Sequence, residues 1–140
     1  MRLHAIFTSF VQWLKTTEMF ARPSKQLPGK WLLFEYYTEK SGKLVNVNES
    51  ELKQQDIFWE IEFGENGEFS QQTNSPSGFL ENTGASQWSL SKNYITFLHP
   101  ADFRKNMEYQ FAVEKGNLRL LKKDSTGKIE LFGFFRKVGK

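Results

Sequence analysis

Glu35 lies in the stretch LPGKWLLFEYY, residues 27–37, at even spacing from Trp31, Leu33 and Tyr37. In a strand such residues share one face, so an inward Trp31 carries Glu35 inward with it. A carboxylate buried alone is costly. Its partner would be the polar head of a ligand, or Arg136, Arg119 or a tyrosine hydroxyl of the chain itself. The other candidate groups are poorer. Glu60 and Glu62 alternate with Trp59, Ile61 and Phe63, which makes them a solvated sheet face rather than a general acid/base pair. His4 and His99 stand in different segments with no motif around either, and His99-Pro100 reads as a turn at the surface. The absence of cysteine excludes disulfides, thiol chemistry and Cys-based zinc or iron–sulfur sites. There is no Gly-x-Ser-x-Gly, no His-Glu-x-x-His and no Gly-rich loop to cradle a phosphate. The chain therefore reads as non-enzymatic, with no metal and no cofactor.

The elements that would position Glu35 belong to one domain, since 140 residues leave no room for a second core. Fourteen phenylalanines cannot all lie on the surface, so a large core or an apolar cavity is expected. The net charge of +3 is unevenly spread. Residues 101–140 hold ten Lys and Arg against five Asp and Glu, an excess that reads as a solvated surface before it reads as an anion-binding one.

Residues 1–26 form an N-terminal unit and residues 27–140 the main domain. Within the first, Leu3, Ile6, Phe7, Phe10, Val11 and Leu14 recur at the spacing of one helical stripe. An amphipathic helix that packs against the domain is expected ahead of a degraded signal peptide or a membrane-surface helix. The segment is too short and too polar to span a bilayer. A cytoplasmic location is favoured over export.

From Gly29 the period changes to 2. Strands are expected over 30–38, 57–63, 68–72, 85–90, 94–98, 107–115, 118–123 and 129–137, separated mostly by hairpin turns such as GENG at 64–67. Residues 39–56 read as a long polar connection with one helical turn beginning at Ser50. Nothing has βαβ spacing, so the fold class is all-β: an eight-stranded antiparallel up-and-down barrel, closed so that no edge is left.

Two features of this pattern resemble the lipocalins and the wider calycin superfamily. One is Gly29-Lys30-Trp31 at the head of the first of eight strands. The other is GASQWSLSKNYITF, residues 84–97, which is similar to a middle strand of small bacterial lipocalin-like proteins. The resemblance covers residues 27–137. It implies that Gly29 and Trp31 set a plug across the closed end of the barrel, with Arg136 packed over the indole. A guanidinium stacked on an indole contributes about 0.5–2 kcal/mol. The N-terminal helix would be a lid or plug at one end.

Alternation and the resemblance together give a candidate ligand-binding set of Leu33, Glu35, Tyr37, Trp59, Ile61, Trp88, Tyr109 and Phe111. Phe63, Phe69, Val113, Leu118 and Leu120 extend the lining. An eight-stranded barrel is wide enough either to be filled by side chains or to hold one small ligand. The favoured function is binding of a small hydrophobic or amphipathic molecule inside the barrel. The alternative is a packed barrel with no cavity that acts as a protein-interaction module. There Phe34 and Tyr36 on the outer face would contact the N-terminal helix, a second copy or another protein. Nucleic-acid binding is disfavoured: Phe132, Phe134 and Phe135 beside Arg136 and Lys137 superficially suit base stacking, but that fold uses five strands rather than eight.

Overall fold

The computed structural model describes residues 23–74 and 85–139. The amphipathic segment 3–21 and most of the 73–84 loop lie outside them. A short helix, α1 (Pro23–Gln26), leads into β1 (Gly29–Lys40). Then come β2 (Lys43–Val47), α2 (Glu49–Gln54), β3 (Trp59–Phe63), β4 (Phe69–Thr73), β5 (Gln87–Ser91) and β6 (Tyr94–Leu98). After a 3-10 turn at Phe103–Lys105 the chain finishes with β7 (Met107–Glu114), β8 (Asn117–Lys123) and β9 (Ile129–Val138).

Eight of these strands form one antiparallel ring in the order β4-β3-β1-β9-β8-β7-β6-β5. Apart from β2, each pairs with its neighbours in sequence, and β9 returns to β1. The ring is nearly closed. Among the described residues β4 and β5 share a single bridge, Glu68 to Gln87. Beside it the Phe69 N–H donates to the Ser86 carbonyl and the Trp88 N–H to the Gly67 carbonyl, both at 2.9 Å.

The connection expected over 39–56 is not mere linker. Ser41 and Gly42 both have positive φ, 54° and 75°, the condition for a tight two-residue hairpin turn. β2 therefore folds back on the far half of β1, from Tyr36–Val47 to Lys40–Lys43. The near half of the same edge pairs with β3, from Gly29–Phe63 to Leu32–Glu60. α2 joins these two strands. Asn48 caps it, not Ser50: its side chain accepts from the Glu51 N–H, and the Glu51 carboxylate accepts from the Asn48 N–H, both at 2.9 Å. This reciprocal pairing satisfies two amide donors that a helix start leaves open. Leu52 then buries itself in the main core.

Two apolar layers result. The interior cluster runs through Trp31, Leu33, Trp59, Ile61, Phe63, Phe97, Tyr109, Phe111 and Phe135. A smaller one lies on the outside of β7, β8 and β9, comprising Ala112, Leu121, Ile129 and Phe132, with Tyr37, Leu44 and Phe134 at its margin.

Candidate functional site

Trp31 closes one end of the ring. It is 1% exposed, and its indole N–H donates to the Leu27 carbonyl at 2.8 Å. The cation over it is Lys137, whose Nζ stands 4.7 Å from the ring centroid. Cross-strand register explains this, since Trp31 lies opposite Lys137 and Leu32 opposite Arg136. Arg136 thus belongs to the outer face. There its guanidinium sits 4.3 Å over the Phe34 ring and pairs with Glu49 at 3.1 Å. The plug expected from Gly29, Trp31 and Arg136 is built from Gly29, Trp31 and Lys137.

Gly29 has a clear reason to be glycine. Its φ is 129°, and a Cβ there would stand 2.8 Å from Lys137 Cε. The lysine stem crosses the place a side chain would fill, which brings Nζ to the carbonyls of Pro28 at 2.7 Å and Gln26 at 3.0 Å. Burial draws the Lys137 ammonium below the usual lysine range. Lys137→Ala is expected to lower stability by about 1–2 kcal/mol through the loss of charge-assisted hydrogen bonds. Arg136→Ala, at an exposed pair, should leave the unfolding midpoint nearly unchanged. Urea titration of both variants checks the assignment, and equal losses would restore Arg136 to the plug.

Of the candidate set, Leu33, Trp59, Ile61, Tyr109 and Phe111 all face the interior, and Trp88 packs against it from β5. So do Phe63, Phe69, Val113, Leu118 and Leu120. Inside the barrel the rings meet one another. Phe63 lies 5.4 Å from Trp88, Phe69 4.8 Å from Phe97, and Phe97 5.4 Å edge-on to Tyr109. Trp59 meets Phe135 edge-on at 5.1 Å, while its indole N–H donates to Gln71 Oε1 at 2.7 Å. Ile95, Phe97, Leu131 and Phe135 were not among the expected lining. Alternation within YITFL and IELFGFF places them inside once one interior residue of each strand is known.

Glu35 and Tyr37 are corrections. The β1–β9 register slips between Leu33 and Glu35: Leu33 faces Phe135 and Glu35 faces Phe134, leaving Phe34 as the extra residue of a bulge. Beyond it the alternation inverts. Glu35 and Tyr37 go to the outer face and Tyr36 turns inward against the core. Glu35 finds its partner on β2, where Asn46 Nδ2 donates to its carboxylate at 2.9 Å, with the Tyr37 hydroxyl a weaker donor at 3.4 Å. Burial, and then the Glu35 charge, push the Tyr37 hydroxyl pKa up. Phe34 stays outside as expected, 6.4 Å from Phe134.

The end opposite Trp31 differs in character. A second bulge leaves Glu130 as an extra residue, because Lys122 faces Leu131 and Lys123 faces Ile129. Glu130 pairs there with Lys122 at 2.9 Å. Tyr109 is 2% exposed, and burial, reinforced by the Glu130 charge, drives its hydroxyl pKa far above the ordinary value. Tyr36, Ile57 and Met107 are partly buried against the core. This end offers apolar surface beside an ion pair.

Elsewhere, an open cleft of about 490 Å³ follows the β4–β5 seam, lined by Glu62, Gly64, Glu68, Phe69, Ser70, Ser86 and Gln87. His99 works within its own turn, its Nδ1 accepting from the Ala101 and Asp102 N–H groups at 3.0 and 2.9 Å. Among the described residues no three His, Asp or Glu side chains converge as metal ligands. No helix among them is long and apolar enough to cross a membrane. Comparison with protein-family models, with curated proteins and with solved structures returns no match.

Proposed function

We propose that the protein is a non-enzymatic binding barrel of lipocalin-like type, and that it takes a small apolar or amphipathic molecule at the end opposite Trp31. The observation that carries this reading is the asymmetry of the two ends. One is sealed by an indole hydrogen-bonded to Leu27 and lying under Lys137. The other carries the partly buried Tyr36 and Ile57, with the Lys122–Glu130 pair at the far end of β8 and β9. Apolar burial would supply most of the affinity, at roughly 25 cal/mol per Å² before association costs. The polar groups would orient the ligand. The lipocalin-like assignment rests on Gly29-x-Trp31, the basic residue over the indole and the meander of eight strands.

A second reading has its own observation. Trp59, Ile61, Leu118, Leu120 and Phe135 have no exposed surface at all, so the deep interior is in contact with protein on every side. That favours a packed barrel whose function lies on its outer surface. Native mass spectrometry of freshly purified protein, with solvent extraction, separates the two. The binding reading expects a stoichiometric extra mass that disappears on extraction, or one that appears on incubation with fatty acids or other hydrophobic probes. A clean mass under all these conditions overturns it and leaves the packed module.

A further inference from the structure

Phe103 is 79% exposed, at the tip of the turn between β6 and β7. The next most exposed large apolar side chain among the described residues, Phe58, stands at 42%. A loose turn can tuck such a ring away from water, but this one is held by its own hydrogen bonds. The His99 N–H donates to Asn106 Oδ1 at 2.7 Å, and the Ala101 and Asp102 N–H groups donate to His99 Nδ1. Asp102 Oδ1 accepts from the Arg104 N–H at 3.0 Å, and the Asp102 and Phe103 carbonyls accept from the Lys105 and Asn106 N–H groups. The fixed turn presents the ring outward, with Arg104 and Lys105 exposed beside it.

We infer that this turn docks the protein on an anionic lipid surface, where Phe103 enters the interfacial layer and Arg104 and Lys105 meet the head groups. Charge selects this partner. Gln110 faces Leu121, so the start of β7 runs level with the β8–β9 turn. Glu39, beside the β1–β2 turn, accepts from the Ile129 N–H at 3.0 Å. The three turns are thus neighbours at the end opposite Trp31. Counted with one flanking residue on each side, they carry Lys40, Lys43, Arg104, Lys105, Lys123 and Lys128 against Glu39, Asp102 and Asp124. Each of those carboxylates already accepts a backbone N–H. A pocket in another protein would accept the ring, but cations spread over three turns call for an extended negative surface. An anionic bilayer supplies both: its head groups attract the cations and its interface takes up the ring. The inference does not rest on the ligand reading, because these turns stand outside the barrel interior.

Full-length protein is expected to sediment with vesicles of phosphatidylcholine and phosphatidylserine in equal parts, and not with phosphatidylcholine alone. Phe103→Ser should weaken this partition by about tenfold and leave the urea midpoint in place, since the ring is exposed in the fold. Arg104→Gln with Lys105→Gln should weaken it by about 25-fold, near fivefold for each cation, and high salt should weaken the parent likewise. The chain has no cysteine, so a polarity-sensitive fluorophore on Phe103→Cys reports on depth directly. Its emission should shift to the blue on the anionic vesicles, while the same probe on Ser91→Cys, by the β5–β6 turn at the Trp31 end, should not. Absence of binding to anionic vesicles overturns the proposal and leaves the ring to a protein partner. Binding that ignores Phe103→Ser overturns it equally, as does a Phe103→Cys probe that stays in water. Either result assigns the attachment to another part of the chain.

Discussion

Trp31→Ala is expected to lower the stability of the barrel by about 3–5 kcal/mol, the range for truncating a fully buried aromatic ring. Three losses coincide at this position. The indole is 1% exposed, so its removal opens a cavity under Leu27, itself 0% exposed. The Leu27 carbonyl loses its 2.8 Å donor. Lys137 loses the ring beneath its ammonium. With a urea m-value of about 1.5–2 kcal/mol/M for a domain of this size, the midpoint should fall by about 2 M. Trp31→Phe separates the terms, since it keeps most of the ring and loses the N–H, at about 1–2 kcal/mol. A loss below about 1.5 kcal/mol for Trp31→Ala would mean that the end collapses onto Leu27. Trp31 would then be filler rather than a plug.

The plug also shows which parts of the fold can be read from sequence. Gly29 and Trp31 announce themselves by type, and alternation correctly sends Trp59, Ile61, Tyr109 and Phe111 inward. Meander order follows from the short turns. The identity of the cation over Trp31 does not, because Arg136 and Lys137 are adjacent and both cationic. Only the register of β1 against β9, fixed over many residues at once, puts Lys137 opposite the indole. A shift of one residue exchanges the faces of a strand.

Glu35 failed for the same physical reason, acting inside a single strand. A bulge adds one residue and inverts everything beyond it. In LLFEYY the apolar residues fall on both parities, so no break in the pattern marks Phe34 as the extra one. The outer face of β9 compounds this, because Phe132 and Phe134 are apolar where a solvated face would be polar. β2 was hidden by composition: KLVNV carries Lys43 and Asn46, as suits a strand lying outside the nearly closed ring. Asn46 is polar because it holds Glu35, a contact legible only once the hairpin is known. The helix start was recoverable, since Asn48-x-x-Glu51 fits the reciprocal cap and Ser50-x-x-Lys53 does not.

The second large effect is one of pH and falls on Tyr109. Its folded pKa lies well above the ordinary tyrosine value, chiefly through burial and further through Glu130. Below about pH 10 folded and unfolded states both hold the proton, and the group contributes no pH dependence. Above it the unfolded chain releases the proton while the folded one keeps it, so stability falls by up to about 1.4 kcal/mol per pH unit. Tyr36 and Tyr37 act in the same direction, being raised too but less buried. Lys137 acts in the opposite one. Its folded pKa is lowered, so just below the usual lysine range the unfolded state holds the extra proton and stability rises with pH. Subtracting the urea-derived stability of Tyr109→Phe from that of the parent cancels every group but one. Between pH 10 and 12 the difference is expected to change by about 2–3 kcal/mol against the parent. Parallel curves would show that water reaches the hydroxyl. A steep difference would show a neutral hydroxyl held in an apolar interior within reach of a carboxylate's field.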